Sequence, residues 1–208
     1  MTIERGALLN ALGHVQNVVE RRNTIPILSN ILVEATGGAV RLTATDLDIE
    51  AVDHADAKIA DEGAVTAPAG TLFDVVRKLP TGADVDLAFD TEKRQLVISS
   101  GRSEFKLPTL PAGDFQTMVP DEGAESLEGV IVPRKAVGEV RRLIENEDGD
   151  VSVSVSDTKV VFKACRAQRL AKQGVGDVRK ISTACGLRKL FFVARSATQS
   201  REMAMSGR

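Results

Sequence analysis

Neither tryptophan nor tyrosine occurs in this chain of 208 residues, and its seven phenylalanines bring the aromatic content to only 3%. The chain therefore lacks the aromatic platforms on which proteins stack single-stranded bases, and that mode of binding is disfavoured. Cysteine is equally scarce. Cys165 and Cys185 have no CxxC spacing and no histidine nearby, which points to reduced thiols rather than a disulfide or a metal site. No apolar run approaches the roughly 20 residues needed to cross a bilayer. The opening MTIERGALLN has a charged pair where a secretory signal would carry its apolar stretch. A cytoplasmic protein with no membrane partner is expected. There is no phosphate loop, since Gly174-Val175-Gly176 lacks both the third glycine and a preceding strand, and no nucleophile elbow. His14 and His54 sit on different predicted elements without metal-ligand spacing, so both read as surface or boundary residues and no cofactor is implied.

What the chain does contain is an uneven distribution of charge. The totals, 27 Lys+Arg against 29 Asp+Glu, give a net charge of −2. Residues 1–163 hold 17 basic and 27 acidic residues, whereas residues 164–208 hold 10 basic and 2 acidic ones. An acidic body is thus joined to a basic tail. With 43% apolar residues the body can bury a core of ordinary size, which excludes a collagenous or wholly disordered chain.

Within the body, Leu8, Leu9, Leu12, Val15 and Val19 recur at helical spacing between Glu4 and Glu20, opposite a polar, nearly uncharged face of Asn10, His14 and Asn17. Asn23, Thr24 and Pro26 end that helix. The period then changes to two. Ile31 and Val33, a Gly37-Gly38 turn, then Val40, Leu42 and Ala44 predict a β-hairpin. Further strands are predicted over Leu47 to Ala55 and Ala64 to Ala67, then a helix over Gly70 to Leu79 with Leu72, Val75, Val76 and Leu79 as its apolar stripe. Strands over Asp84 to Phe89, Gln95 to Ser99 and Ser103 to Leu107 complete a unit of sheet and two helices over residues 1–117. After an acidic stretch come a strand at Val130 to Val132, a helix opened by Pro133 with Val137, Val140 and Ile144 on its buried face, and a hairpin of Val151, Val153 and Val155 with Val160 to Phe162. That order, helix then strands, repeats the second half of the first unit and suggests tandem duplication. Beyond Lys163 the periodicity decays, Leu190 to Val193 being the main apolar cluster, and the tail is expected to be partly disordered.

Two groups of residues invite a chemical reading. Asp46, Asp48 and Glu50, at alternate positions of a predicted strand, would point the same way, as carboxylates binding Mg²⁺ do, but a solvated strand face, or Asp46 capping a turn after Thr45, is the preferred reading and no metal site is expected. Glu147, Asp148 and Asp150 read as a polar hairpin turn, since the final glutamate of a calcium loop is absent. The few basic pairs of the body, Arg21-Arg22, Arg134-Lys135 and Arg141-Arg142, are suited to phosphate contacts that position a nucleic acid without reading its bases. An acidic body with a few basic loops also permits weak holding and sliding on DNA.

Several long motifs fall in an order found in one family. Glu20-Arg21-Arg22-Asn23-Thr24-Ile25-Pro26-Ile27-Leu28-Ser29-Asn30, Ala44-Thr45-Asp46-Leu47-Asp48, Val75-Val76-Arg77-Lys78-Leu79-Pro80, Ser100-Gly101-Arg102-Ser103-Glu104-Phe105 and Leu110-Pro111-Ala112-Gly113-Asp114-Phe115 closely resemble the first domain of the bacterial sliding clamp, the beta subunit of DNA polymerase III. Val130-Ile131-Val132-Pro133-Arg134-Lys135 and Ser156-Asp157-Thr158-Lys159 look like the latter half of that clamp's second domain. The resemblance covers residues 1 to about 163. It implies an α+β, DNA-clamp fold with one complete domain at 1–117, a partial second domain at 118–163 and a basic tail at 164–208. It also implies a non-catalytic processivity factor that encircles or contacts duplex DNA, is loaded by an ATP-driven clamp loader and tethers the replicative polymerase. Arg22, with Arg21 and Lys135 beside it, would approach the phosphates, and the Asp46 cluster would belong to the structural pattern rather than to a metal site. The chain departs from the pattern between Phe115 and Val130, where the first half of the second domain is absent, and in having no counterpart of a third domain. Self-association is expected, but these departures put closure of the usual six-domain ring in doubt. The alternative they leave is a truncated or regulatory remnant that binds clamp subunits without encircling DNA.

Overall fold

The computed structural model describes residues 1–19, 24–118, 134–144, 151–155, 159–165 and 189–195. A short strand β1 (Thr2–Glu4) leads directly into helix α1 (Arg5–Val15), because Glu4 holds an extended backbone and its carboxylate accepts hydrogen bonds from the N–H groups of Gly6 and Ala7, both at 2.8 Å. These are donors with no partner inside the helix, and their satisfaction fixes its start. Leu8, Ala11, Leu12 and Val15 form the buried stripe. The helix ends at Val15, short of the expected Glu20, and two successive turn bonds from Val18 and Val19 continue the chain.

A short 3₁₀ turn at Pro26–Ser29 delivers the chain to β2 (Asn30–Thr36), and β3 (Ala39–Thr45), β4 (Ile49–Asp56) and β5 (Gly63–Pro68) follow. Helix α2 (Ala69–Lys78) buries Ala69, Leu72 and Val76. It is followed by β6 (Asp84–Asp90), β7 (Gln95–Ser100) and β8 (Ser103–Pro108). These strands form two antiparallel sheets, β1-β6-β7-β8 and β5-β2-β3-β4, the second of which is extended at β4. Arg5 joins the helices: its guanidinium donates to the last carbonyls of α2, from Nε to Val76 O at 3.2 Å and from Nη2 to Arg77 O at 2.7 Å. A cation at a helix C-terminus satisfies free carbonyls and opposes the helix dipole, so α1 and α2 lie side by side and antiparallel. One cluster containing Ile3, Leu8, Leu12, Leu42, Leu72 and Ile98 fills the space between helices and sheets.

The opposite face of β5-β2-β3-β4 is covered too. The chain after β8 crosses it as a strap from Thr109 to Met118, burying Phe115 and Met118. Thr66 holds the strap through its hydroxyl, which donates to Leu110 O at 2.8 Å and accepts from Leu110 N–H at 3.0 Å, while also accepting from the Asn30 amide at 3.0 Å. Further along, the buried Glu50 carboxylate accepts from the Met118 N–H at 2.7 Å.

Helix α3 (Arg134–Ile144), β9 (Val151–Val155), β10 (Lys159–Cys165) and β11 (Lys189–Arg195) make up the second unit. β11 lies between β4 and β10, pairing antiparallel with both, and the result is a continuous seven-stranded sheet in the order β5-β2-β3-β4-β11-β10-β9. Within the tail expected to be partly disordered, residues 189–195 are thus a structural strand, and β10 runs on to Cys165. The sequence signal was weak because Leu190, Phe191, Phe192 and Val193 form a continuous apolar run with no alternation. The predicted strand at Val130 to Val132 and the linker before it lie outside the described residues. Matching Arg77-Lys78-Leu79 to Arg141-Arg142-Leu143 aligns the buried Leu72 and Val76 of α2 with the buried Ala136 and Val140 of α3. The second unit therefore repeats the α2-β6-β7-β8 half of the first.

Candidate nucleic-acid interface and the junction between units

Of the three residues expected to meet DNA, Lys135 stands in the first turn of α3, where its ammonium is 2.5 Å from the Asp46 carboxylate. Arg21 and Arg22 lie outside the described residues. They follow α1 in the chain, and the end of α1 borders a groove of about 450 Å³ between the antiparallel helices, lined by Gln16, Asn17, Gly70, Phe73, Asp74 and Arg77. Arg77 sits 5.9 Å from the centre of the Phe73 ring and 3.1 Å from Asp74. The groove wall mixes the apolar Val19, Ala69 and Phe73 with the polar Gln16 and Asn17 and the charged Asp74 and Arg77.

The structure separates the carboxylates of Asp46, Asp48 and Glu50. Leu47 has φ +76°, a left-handed conformation, so the chain turns sharply between Thr45 and Ile49 and the alternation expected from Leu47 onward does not begin until β4. Asp46 is consumed by that turn: its Oδ1 accepts from the N–H groups of Asp48 at 3.1 Å and Ile49 at 2.8 Å, and its Oδ2 meets Lys135. Thr45 adds a bond from its hydroxyl to Ile49 O. Asp48 is exposed, whereas Glu50 is buried against the strap. Three carboxylates that look alike in sequence thus face a turn, solvent and the interior respectively, and no metal-binding group of three or more ligands occurs among the described residues.

Two other interactions were not visible in the sequence. His14 on α1 is 2.7 Å from the Asp53 carboxylate on β4, and Asp53 also accepts from the His54 N–H. This bond ties the polar side of α1 to the sheet. A conspicuous aspartate at an inward position of β4 was the only available sign of it. On α3, Val137 was expected on the buried face, but it is 53% exposed. Its counterpart Phe73 packs on α1 near Gly13, where an added Cβ would stand 3.9 Å from the ring. No element equivalent to α1 stands beside α3 among the described residues, and Val137 is left uncovered. No described helix is long and apolar enough to cross a membrane.

Comparison with known proteins places this geometry. Residues 1–120 match the family model for the DNA polymerase III beta subunit, N-terminal domain. The beta sliding clamp of Caulobacter vibrioides (strain NA1000 / CB15N) is 41% identical over 230 residues, covering 78% of this chain and 62% of that one. The beta sliding clamp of Pseudomonas putida is 43% identical over 145 residues, covering 69% and 37%. Because 78% of 208 residues is about 162, roughly 68 of the 230 aligned Caulobacter positions have no counterpart here. Among solved structures, the DNA polymerase sliding clamp from Caulobacter crescentus superposes with a TM-score of 0.77 at 36% identity, over 94% of this chain and 64% of that one. A beta subunit from Bartonella birtlesii LL-WM9 gives 0.75 at 30% identity, over 95% and 64%. The chain spans about three-fifths of the length of its Caulobacter relatives. The match over residues 1–120 and the 41% identity over 78% of the chain show that this chain belongs to the DNA polymerase III beta subunit family, the bacterial sliding clamps.

Proposed function

We propose that the chain acts in the cytoplasm as a sliding-clamp module of DNA replication, contacting or encircling duplex DNA and tethering the replicative polymerase after delivery by a clamp loader, with no catalysis of its own. The junction between the units is the chief support. β11 extends the first unit's sheet at β4, and Ala136 and Val140 of α3 share one apolar cluster with α1 and α2. Units added edge to edge in this way keep their helices on a common side of a continuous sheet, as an assembly built around a rod-shaped ligand requires. Arg22, with Arg21 and Lys135, supplies the phosphate contacts in this reading. The test is retention of the full chain on circular duplex DNA in the presence of clamp loader and ATP. Retention that survives high salt and is lost when the circle is linearised is expected, and a chain that is never retained would sink the proposal. Point substitution suits this assay better than removal of the basic tail, since the tail contains β11. Arg22→Ala and Lys135→Ala should each lower the slope of log affinity against log salt by about one.

One observation favours the second reading, a remnant that binds clamp subunits without encircling DNA. β11 is the second unit's counterpart of β8, and it pairs with β4 of the preceding unit. The edge of β8 would by the same rule accept a β4-type strand, and among the described residues the only such strand is already occupied by β11. Light scattering of the chain mixed with a full-length clamp distinguishes the two, since a mixed species that fails to stay on circular DNA is expected only of a remnant.

A further inference from the structure

The missing half-domain leaves an identifiable scar. In the first unit β6 is flanked by β1, with Thr2 opposite Asp86 and Glu4 opposite Asp84. The corresponding strand β9 ends the seven-stranded sheet, with no neighbour on its outer side among the described residues. Val153 pairs with Phe162, which in turn pairs with Phe192, itself opposite Ala51 of the core. It therefore faces the helix side of the sheet, yet it is 52% exposed. Val137 of α3 is uncovered for the same reason. Two apolar positions that a β1-α1 element covers in the first unit are open together in the second.

The edge strands of the two sheets differ in how they are protected. β1 is only three residues long, β5 ends in Pro68, and β8 carries Glu104, Lys106 and Pro108, all devices that discourage pairing with another chain. β6, the counterpart of β9, carries Asp84, Asp86 and Asp90 and would repel its own copy. β9 reads Val151-Ser152-Val153-Ser154-Val155, with no charge and no proline. Its sequence is also palindromic. An antiparallel pair of β9 strands about a two-fold axis at Val153 sets Val151 opposite Val155 and Ser152 opposite Ser154 in both directions, with Val151 and Val153 on the helix side. Two-fold interfaces require a self-complementary patch of this kind, and like charges do not oppose it.

We propose that β9 is a homodimerisation edge, and that a second copy of this chain pairs with it in antiparallel register about Val153, fusing two seven-stranded sheets. This contact is separate from DNA binding and from the β8 edge. Sedimentation velocity on the full chain over a range of micromolar concentrations should show a monomer–dimer equilibrium. Val153→Lys, which sets two ammonium groups face to face at the axis, should weaken the dimer about tenfold or more, while Phe105→Lys on β8 leaves it unchanged. As an independent measurement, a spin label at Val153→Cys, in a chain with Cys165→Ser and Cys185→Ser, should report a short label-to-label distance in the dimer. A chain monomeric throughout the range, a dimer disrupted by Phe105→Lys but not by Val153→Lys, or labels far apart in the dimer would each overturn the proposal.

Discussion

The Thr66 hydroxyl uses its whole hydrogen-bonding capacity, one donor and two acceptor sites, on the strap and on Asn30. Thr66→Val keeps the side-chain shape and removes all three bonds. The Asn30 amide, itself buried, would lose this partner at a cost of about 1–3 kcal/mol. The Leu110 N–H and C=O belong to an exposed residue that water can reach, so their loss adds only about 0.5–1 kcal/mol between them. The expected total is about 2–4 kcal/mol. Thr66→Ser makes the opposite trade, retaining the hydroxyl and deleting one buried methyl group, at a cost of about 1 kcal/mol. Urea denaturation followed by circular dichroism should therefore rank wild type above Thr66→Ser and Thr66→Ser above Thr66→Val, although valine is the closer match in volume. Limited proteolysis adds a local readout, since cleavage between Thr109 and Met118 should be fastest in Thr66→Val. If the valine variant equals or exceeds the serine variant in stability, and the strap is cut no faster, the strap is held by apolar packing and the hydroxyl is incidental.

The remaining predictions concern two carboxylates. The N–H groups of Gly6 and Ala7 hold the Glu4 carboxyl below its ordinary value of 4.5, so its contribution is present above that value and is lost as pH falls through the lower folded-state value. Glu4→Ala should destabilise by about 0.5–1 kcal/mol at neutral pH, and denaturation curves of variant and wild type should converge in acid; a difference that persists there would contradict the capping role. Asp46→Ala removes the acceptor of two turn N–H groups and the partner of Lys135, and should cost about 1–2 kcal/mol. On the proposed function it should also strengthen DNA binding, because Asp46 no longer competes with phosphate for the Lys135 ammonium and a negative charge is removed, so a titration showing weaker binding would count against Lys135 as a phosphate contact.

Where one face of a segment is buried and the other solvated, its structure was legible. The stripe of Leu72 and Val76 describes an interface with water and became α2, while Val40, Leu42 and Ala44 became β3 because the residues between them, Arg41, Thr43 and Thr45, are polar, although both threonines are buried. β1 and β11 fail that condition for different reasons, the first being three residues long and the second having no alternation to read. For Asp46 the plainer of the two readings, a capped turn after Thr45, is the one found, because a single residue at positive φ, Leu47, cancels the alternation that would have aligned it with Asp48 and Glu50. Val137, by contrast, misled. Its spacing with Val140 is that of a buried stripe, and the helix carries the pattern of a contact whose other side is not found among the described residues. The His14–Asp53 bond joins residues 39 positions apart, and no local pattern encodes such a pairing.

The placement of β11 has a temporal consequence. The edge of β4 that it occupies is complete at Asp56, yet its partner residues, Phe191 to Ala194, emerge about 140 positions later. At translation rates of about 5–20 residues per second, that edge stays open for roughly 7–28 seconds on the ribosome while the rest of the first unit is free to fold. During that interval Val52 and Ile49 border an unpaired strand of a nearly finished sheet, the condition under which neighbouring nascent chains on one messenger add to each other's edges. Partial products ending before residue 189 would never leave this state. The yield of soluble protein should therefore depend on how quickly the last of the seven strands arrives as much as on the stability of the finished fold.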